Sequence, residues 1–284
     1  MKKLMIAVLV STIFTLGGGA PAMAAKPITQ APSNATPLGI DVSYPQCGKT
    51  LPTNHAFGIV GVNGGLATTT NPCMAEQLKW ADKALGTTSQ DKVQLYVNTA
   101  NPGGLNTGSW PKSDVDSAGV SQVNPYGVCD GRDSLGCAWM YGWNRALEDD
   151  TDRFQPAANQ AGLSTQAVDY VWWLDVETEN TWKTTTNEFS SRSNVAVLEG
   201  MTAYFGSVNA RVGLYSTAYQ WNTIVGSSVT PDSNLKGLPN WRPGGASLKT
   251  AKDACNATPL TANGTVVLTQ FVSKGLDYNY VCGT

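Results

Sequence analysis

Six stretches of the chain carry the short apolar, β-favouring pattern of strands: Leu38–Ser43, Phe57–Val62, Val93–Asn98, Tyr170–Val176, Val212–Tyr215 and Val266–Val272. Between them the apolar spacing changes to that of helices. Met74, Leu78, Ala81 and Leu85 recur at i, i+4, i+7 and i+11, behind Asn71 as N-cap and Pro72 at the first helical position. A second helix is predicted over Ala138–Asp149. A third runs over about Ser193–Phe205, with Val197, Met201 and Tyr204 on one side. Strands alternating with helices predict a parallel sheet. At this length a closed barrel is the leading architecture and a doubly wound sheet the second, and no GxGxxG or GxxxxGK[ST] loop supports a nucleotide crevice. The expected fold is α/β: a single-domain, irregular TIM-like β/α barrel over residues 38–284.

The amino terminus changes the compartment. Lys2 and Lys3, the largely apolar run Leu4–Leu16 and the small-x-small triplet Ala22-Met23-Ala24 read as an export signal over residues 1–24. The apolar run is too short for a spanning helix, and no second membrane candidate follows. Residues 25–37 read as a flexible leader. Asn101–Gly136, rich in Gly, Pro and Asp and carrying two cysteines, reads as a long loop insertion over one end of the barrel, forming a wall of the binding cleft. The net charge is −2, and the chain has no basic block, which argues against nucleic acid as a partner. A secreted or cell-wall-associated monomer is expected, with no membrane contact after signal cleavage.

Six cysteines in an exported chain are read as bridges. Six allow fifteen connectivities, which the sequence does not separate. Pairing neighbours in order would join Cys47 to Cys73, Cys129 to Cys137 and Cys255 to Cys282. A metal site has no CxxC pair and a single histidine, His55, in its support, so neither metal nor organic cofactor is expected. His55 itself reads as a surface loop residue.

The chemistry concentrates in Val171-Trp172-Trp173-Leu174-Asp175-Val176-Glu177. On a strand, Trp173, Asp175 and Glu177 share one face while Trp172, Leu174 and Val176 share the other. Two acids on a greasy strand are costly unless something uses or satisfies them, and paired carboxylates are what glycosidic cleavage needs. Asp41 lies near the end of the first predicted strand and Asp277 just after the last. A lone aspartate in such a place is ordinarily a turn or cap residue. Converging from different strand ends of a barrel, these acids would instead form a cluster in which mutual repulsion keeps one group protonated as a general acid.

The segments GIDVSYPQ (39–46), FGIVGVNGG (57–65), WLDVE (173–177), GLYSTAYQW (213–221) and LTQFVSKGLDYN (268–279) together resemble glycoside hydrolase family 25, secreted lysozyme-like N-acetylmuramidases on an irregular β/α barrel. The resemblance runs in order from about residue 38 to 282 and more loosely suggests a divergent, secreted actinobacterial-type branch. It implies a glycosidase acting on peptidoglycan or a related N-acetylated polysaccharide. Glu177 would then be the general acid, Asp175 the group that orients the N-acetyl group or stabilises the ring cation, and Asp41 and Asp277 the source of negative potential around the cleaved sugar. Tyr215, Trp241 and Tyr96 would line the pocket, each with a packing role as the alternative.

The chain departs from the family pattern in three places. The connection from Tyr44 to Ala56 is near the minimum for a parallel crossover, so the first helix is expected to be reduced or absent. The third strand continues as Tyr96-Val97-Asn98-Thr99-Ala100-Asn101, without the family's histidine-containing stretch, and the insertion at 101–136 is foreign to it. Trp110, Trp182 and Trp221 are candidate stacking platforms for sugar rings. The alternative reading is a non-catalytic wall- or glycan-binding protein on the same barrel; a third is a hydrolase for another amino-sugar polymer.

Overall fold

The computed structural model describes residues 36–104, 108–184 and 187–283. The predicted export signal and nearly all of the predicted leader lie outside the described residues. From Pro37 the chain forms one unit, built on a closed eight-stranded barrel in sequence order. Its strands are β1 (Gly39–Val42), β2 (Gly58–Gly61), β3 (Val93–Asn98), β4 (Val171–Asp175), β5 (Arg211–Tyr215), β6 (Pro239–Gly245), β7 (Thr265–Ser273) and β8 (Leu276–Val281). The helices are α1 (Met74–Asp82), α2 (Leu135–Glu148), α3 (Gln155–Ala161), α4 (Glu188–Ser207), α5 (Ala218–Ile224) and α6 (Leu248–Ala254).

The sheet is mixed, which corrects the parallel expectation. β1 to β7 are parallel in succession, but β8 runs antiparallel to both β7 and β1. The cause is local. Only Lys274 and Gly275 separate β7 from β8, both at positive φ (52° and 75°), which is the backbone of a tight hairpin turn. A connection that short cannot return the chain to a parallel start. Only a 3₁₀ turn, Tyr44–Gln46, stands between β1 and β2 where a crossover helix would be, as the short connection predicts.

Two apolar layers flank the strands. Trp172, Leu174 and Val176 face outward into the large core shared with the helices, where Trp172 packs against Phe205 and Phe154 at centroid distances of 4.5 and 5.1 Å. Trp173 faces inward with Phe57, Ile59, Tyr215, Trp241 and Leu268, and this second cluster plugs the barrel. The alternation expected of the Trp-Trp strand is therefore its packing. The Trp173 ring lies directly over Gly213 on the next strand, where an added Cβ would come within 2.2 Å of it.

Helix boundaries moved by a few residues. α1 begins at Met74 rather than Pro72, with the Asn71 side chain accepting from the Cys73 N–H at 3.2 Å. α2 starts at Leu135, capped by Ser134, and continues through a π-helical turn, Asp149–Phe154, into α3. Three disulfides, Cys47–Cys73, Cys129–Cys137 and Cys255–Cys282, join cysteines that neighbour one another in order. The first and third close loops of 26 and 27 residues, worth about 3.5 kcal/mol each in the chain-entropy account. Among the described residues no helix is long and apolar enough to cross a membrane.

Much of the insertion packs on α2 and α4. Its Tyr126 hydroxyl bonds Glu199 on α4 at 2.5 Å, Trp143 on α2 donates to its Asp116 at 3.2 Å, and Trp110 stacks on Tyr141 at 5.5 Å. These contacts lay the insertion against the outer helices.

The Trp173–Gly213 contact sets a test of the barrel interior. Gly213→Ala should lower the denaturation midpoint by the equivalent of about 2 kcal/mol, as overpacking does. Gly206→Ala, on α4 with nothing within 4 Å of the added carbon, should be neutral or gain about 0.5 kcal/mol. Equal midpoints for the two variants in urea titrations would contradict this packing.

Candidate functional site

At the mouth of the barrel a pocket of about 240 Å³ is lined by Asp41, Tyr96, Asp175, Glu177, Tyr215, Trp241, Gln270 and Asp277. They come from β1, β3, β4 and the turn beyond it, β5, β6, β7 and β8. In a closed barrel, inward positions near the same end of every strand converge on the axis. Asp41 and Asp277 are register partners across the antiparallel β1–β8 pair, and Asn98 and Asp175 across β3–β4. No lysine or arginine is among the lining residues, and none of them comes from the insertion.

The end of β4 is held by its neighbours rather than by its own acids. Thr99 donates through Oγ1 (2.6 Å) and N (3.2 Å) to the Asp175 carbonyl, and the Ser216 hydroxyl donates to the Val176 carbonyl at 2.7 Å. The Trp182 indole N–H donates to the Glu177 carbonyl at 2.9 Å. Glu177 thus sits two residues past the strand on a pinned turn. Asp175 is buried, and its Oδ1 has no hydrogen-bond partner. The indole nitrogen of Trp241, which is buried among the lining residues, also lacks one. Unpaired buried polar groups of this kind are costly and call for an explanation such as a bound partner.

Asp41 is treated differently. Gln270 Nε2 donates to both of its oxygens at 3.2 and 3.1 Å, and Asn279 Nδ2 donates at 2.7 Å. The Tyr215 hydroxyl donates to Gln270 Oε1 at 2.8 Å, which turns the amide so that its NH₂ faces Asp41. Sequence reasoning did not single out Gln270 or Asn279. Their signal was the alternation of polar residues through 268–279, inward-facing on β7 and β8.

Burial and crowding shift every acid of the pocket upward. Burial, then the neighbouring Asp277 charge, pushes the Asp41 carboxyl from its ordinary 3.8 to about 8, against the opposing amides of Asn279 and Gln270. Burial, then Glu177, Asp41 and Glu179, raises Asp175 well above the usual range. Glu177 is raised by burial, then by Glu179 and Asp277, with the Gln220 amide opposing. Burial also raises Asp277 and the phenols of Tyr96 and Tyr215. Such a cluster holds protons at neutral pH and can deliver one to a bound oxygen.

Three tryptophans and the histidine are placed differently from the sequence reading. Trp110, Trp182 and Trp221 are all buried and are unavailable as stacking platforms; Trp182 instead ties the turn that carries Glu177. His55 is buried rather than a surface residue, its ring stacked on Trp80 at 4.0 Å, because the short β1–β2 connection tucks back beneath α1.

A family model described as Lysozyme-like protein 1 matches residues 139–241, from α2 to β6. That span holds Asp175, Glu177, Tyr215 and Trp241 but not Asp41, Gln270 or Asp277. No curated protein matches the chain by sequence. Among solved structures, the Clostridium perfringens spore cortex lytic enzyme SleM is similar with a TM-score of 0.51 at 15% identity, over 90% of this chain and 70% of that one. The modular Cpl-1 endolysin, solved with a peptidoglycan analogue, is similar with a TM-score of 0.46 at 14% identity over 87% of this chain. The chain spans about half (54%) of that endolysin. The likeness to SleM is one of fold.

The raised carboxyls have a consequence for stability. Each makes the folded chain hold protons that the unfolded chain has released, so stability is full below the ordinary carboxyl range and declines as pH rises through the folded values. For Asp41 that interval runs from about pH 4 to about pH 8. The melting temperature is expected to fall steadily across it at constant ionic strength, and to fall less steeply in Asp41→Asn. A flat parent profile, or an unchanged slope in the variant, would contradict the assignment.

Proposed function

We propose that this chain is a secreted, monomeric glycoside hydrolase that cleaves glycosidic bonds in an N-acetylated cell-wall polysaccharide of the peptidoglycan type. The observation that carries the reading is the convergence of Asp41, Asp175, Glu177 and Asp277 with three aromatic side chains on one open pocket at the strand ends. The lysozyme-like description of the matching family model and the barrel shared with a spore cortex lytic enzyme support the same class. Three disulfides fit an extracellular setting reached through the signal at residues 1–24.

In this reading Glu177, with its carboxyl raised and its backbone held by Trp182, gives its proton to the glycosidic oxygen as the C–O bond breaks and its electron pair moves to that oxygen. Asp175, buried with an unpaired oxygen, receives the N–H of the substrate's acetamido group and steadies the ring cation that develops. Water then attacks the anomeric carbon and its proton returns to the carboxylate of Glu177. Asp41 and Asp277 hydrogen-bond the opposite side of the sugar, with Asp41 oriented by the Gln270 and Asn279 amides. Tyr96, Tyr215 and Trp241 give the ring an aromatic wall.

Glu177→Gln should lower the rate of reducing-end release from purified walls by about 10²–10⁴-fold, the scale of general acid catalysis, with a melting temperature no lower than the parent's. Asp175→Asn should be similarly impaired. Release at the parent rate by Glu177→Gln would remove Glu177 as the acid. Retention on insoluble walls with no new reducing ends from the parent protein would mark a binding module instead.

A further inference from the structure

The carboxylate pocket has a neighbour of opposite character. A cavity of about 530 Å³ is lined by Thr68, Gly108, Ser109, Arg145, Glu148 and Arg153. Arg145 and Arg153 are both buried, with side-chain exposures of 5% and 8%. Arg145 Nη2 pairs with Glu148. Arg153 pairs with Asp149 through Nη1 at 3.0 Å and more loosely with Glu148 through Nη2 at 3.5 Å. Most N–H donors of the two guanidinium groups, both Nε atoms included, have no partner. Asp149 is itself fully buried, and burial pushes its carboxyl up to about 7, against Arg153, Asn63 and Arg145. The two arginines are matched by two carboxylates, Glu148 and Asp149, and what the cluster has in surplus is buried N–H donors.

Its place in the fold ties it to the barrel mouth. Thr68 lies in the loop after β2 and Ser109 in the loop after β3, on the end of the barrel where the acids stand. Asn63 donates to Asp149 at 2.8 Å and accepts from the Asn98 backbone N–H at 2.8 Å, and Asn98 is the register partner of Asp175.

We propose that the cavity at Arg145 and Arg153 is an oxyanion subsite that takes an anionic substituent of the same polymer whose glycosidic bond lies at the carboxylate pocket. Planar guanidinium groups with free N–H edges match carboxylate and phosphate oxygens. Guanidinium donors that hold such a substituent would set the register of the chain over the acids. The substrate class is thereby an anionic amino-sugar polymer rather than a neutral one. This rests on the glycosidase reading for its polymer, but the binding itself does not require hydrolysis.

The probe is inorganic phosphate, titrated calorimetrically into the full chain at fixed ionic strength. Saturable one-site binding is expected, weakened at least tenfold in Arg145→Gln and less in Arg145→Lys, and unchanged in Glu177→Gln. Should Arg145→Gln not fold, Ser109→Asp, which puts a carboxylate into the cavity from a loop, must weaken phosphate to the same degree. Absence of saturable binding, or equal affinity in parent and cavity variants, overturns the site. A second arm compares binding to purified walls with their carboxyls amidated and walls stripped of phosphate-bearing polymer. The treatment that abolishes the difference between parent and Arg145→Lys identifies the oxyanion's source. If neither does, the assignment to the polymer is overturned while the phosphate result stands. Loss of hydrolysis in Glu177→Gln with phosphate binding intact separates this proposal from the catalytic one.

Discussion

Four carboxylates meet at the mouth of a barrel that gives them no cation, and much of the local structure answers that constraint. A buried acid must be paired, hydrogen-bonded or protonated. Asp41 takes the second route, clamped by the Gln270 and Asn279 amides. Asp175 has no such clamp, and burial and the charges around it raise its carboxyl. Beneath them the plug of Trp173, Trp241, Tyr215, Ile59 and Leu268 closes the barrel below the acids and deepens their desolvation. The plug itself depends on Gly213, the only kind of residue that lets the Trp173 ring lie on the neighbouring strand.

Precision at the mouth comes from outside the pocket. The hydroxyls of Thr99 and Ser216 and the indole of Trp182 hold backbone carbonyls at and after the end of β4, which leaves the carboxylates free of structural duties. The carboxylates are placed by main chain that is pinned through its carbonyls. The arginine cavity follows another rule: its charges are paired within the π-helical turn and the helix before it, yet incompletely, so donor capacity remains facing a space.

How much of this was legible depends on the range of the interaction that determined each part. Trp172 and Trp173 point to opposite layers because a strand alternates, and alternation is written in seven consecutive residues. The strands that went unread lack that signature. β6 contains Pro239, Pro243, Gly244 and Gly245 and pairs with β7 through two register shifts, so no apolar run announces it. β8 carries Asp277 and Asn279 on its inward face, which reads as a loop until the barrel closes around it. His55 and the three tryptophans assigned to loops are buried because tertiary neighbours cover them, and loop-like sequence does not reveal its cover.

The sequence alone determined the elements with strong local periodicity, the alternating β/α class, and the identity of the acids and aromatics that belong to the pocket. It did so because side-chain alternation and paired acids on an apolar strand act over a few residues. Tertiary structure decided the closure of the barrel by the pairing of β8 with β1, the orientation of Asp41 by amides more than two hundred residues away, and the path of the insertion along the outer helices. It also decided that two arginines of one helical segment would face a cavity beside the acids. Each of these is a contact between segments distant in sequence, and its energy exists only once the barrel has brought them together.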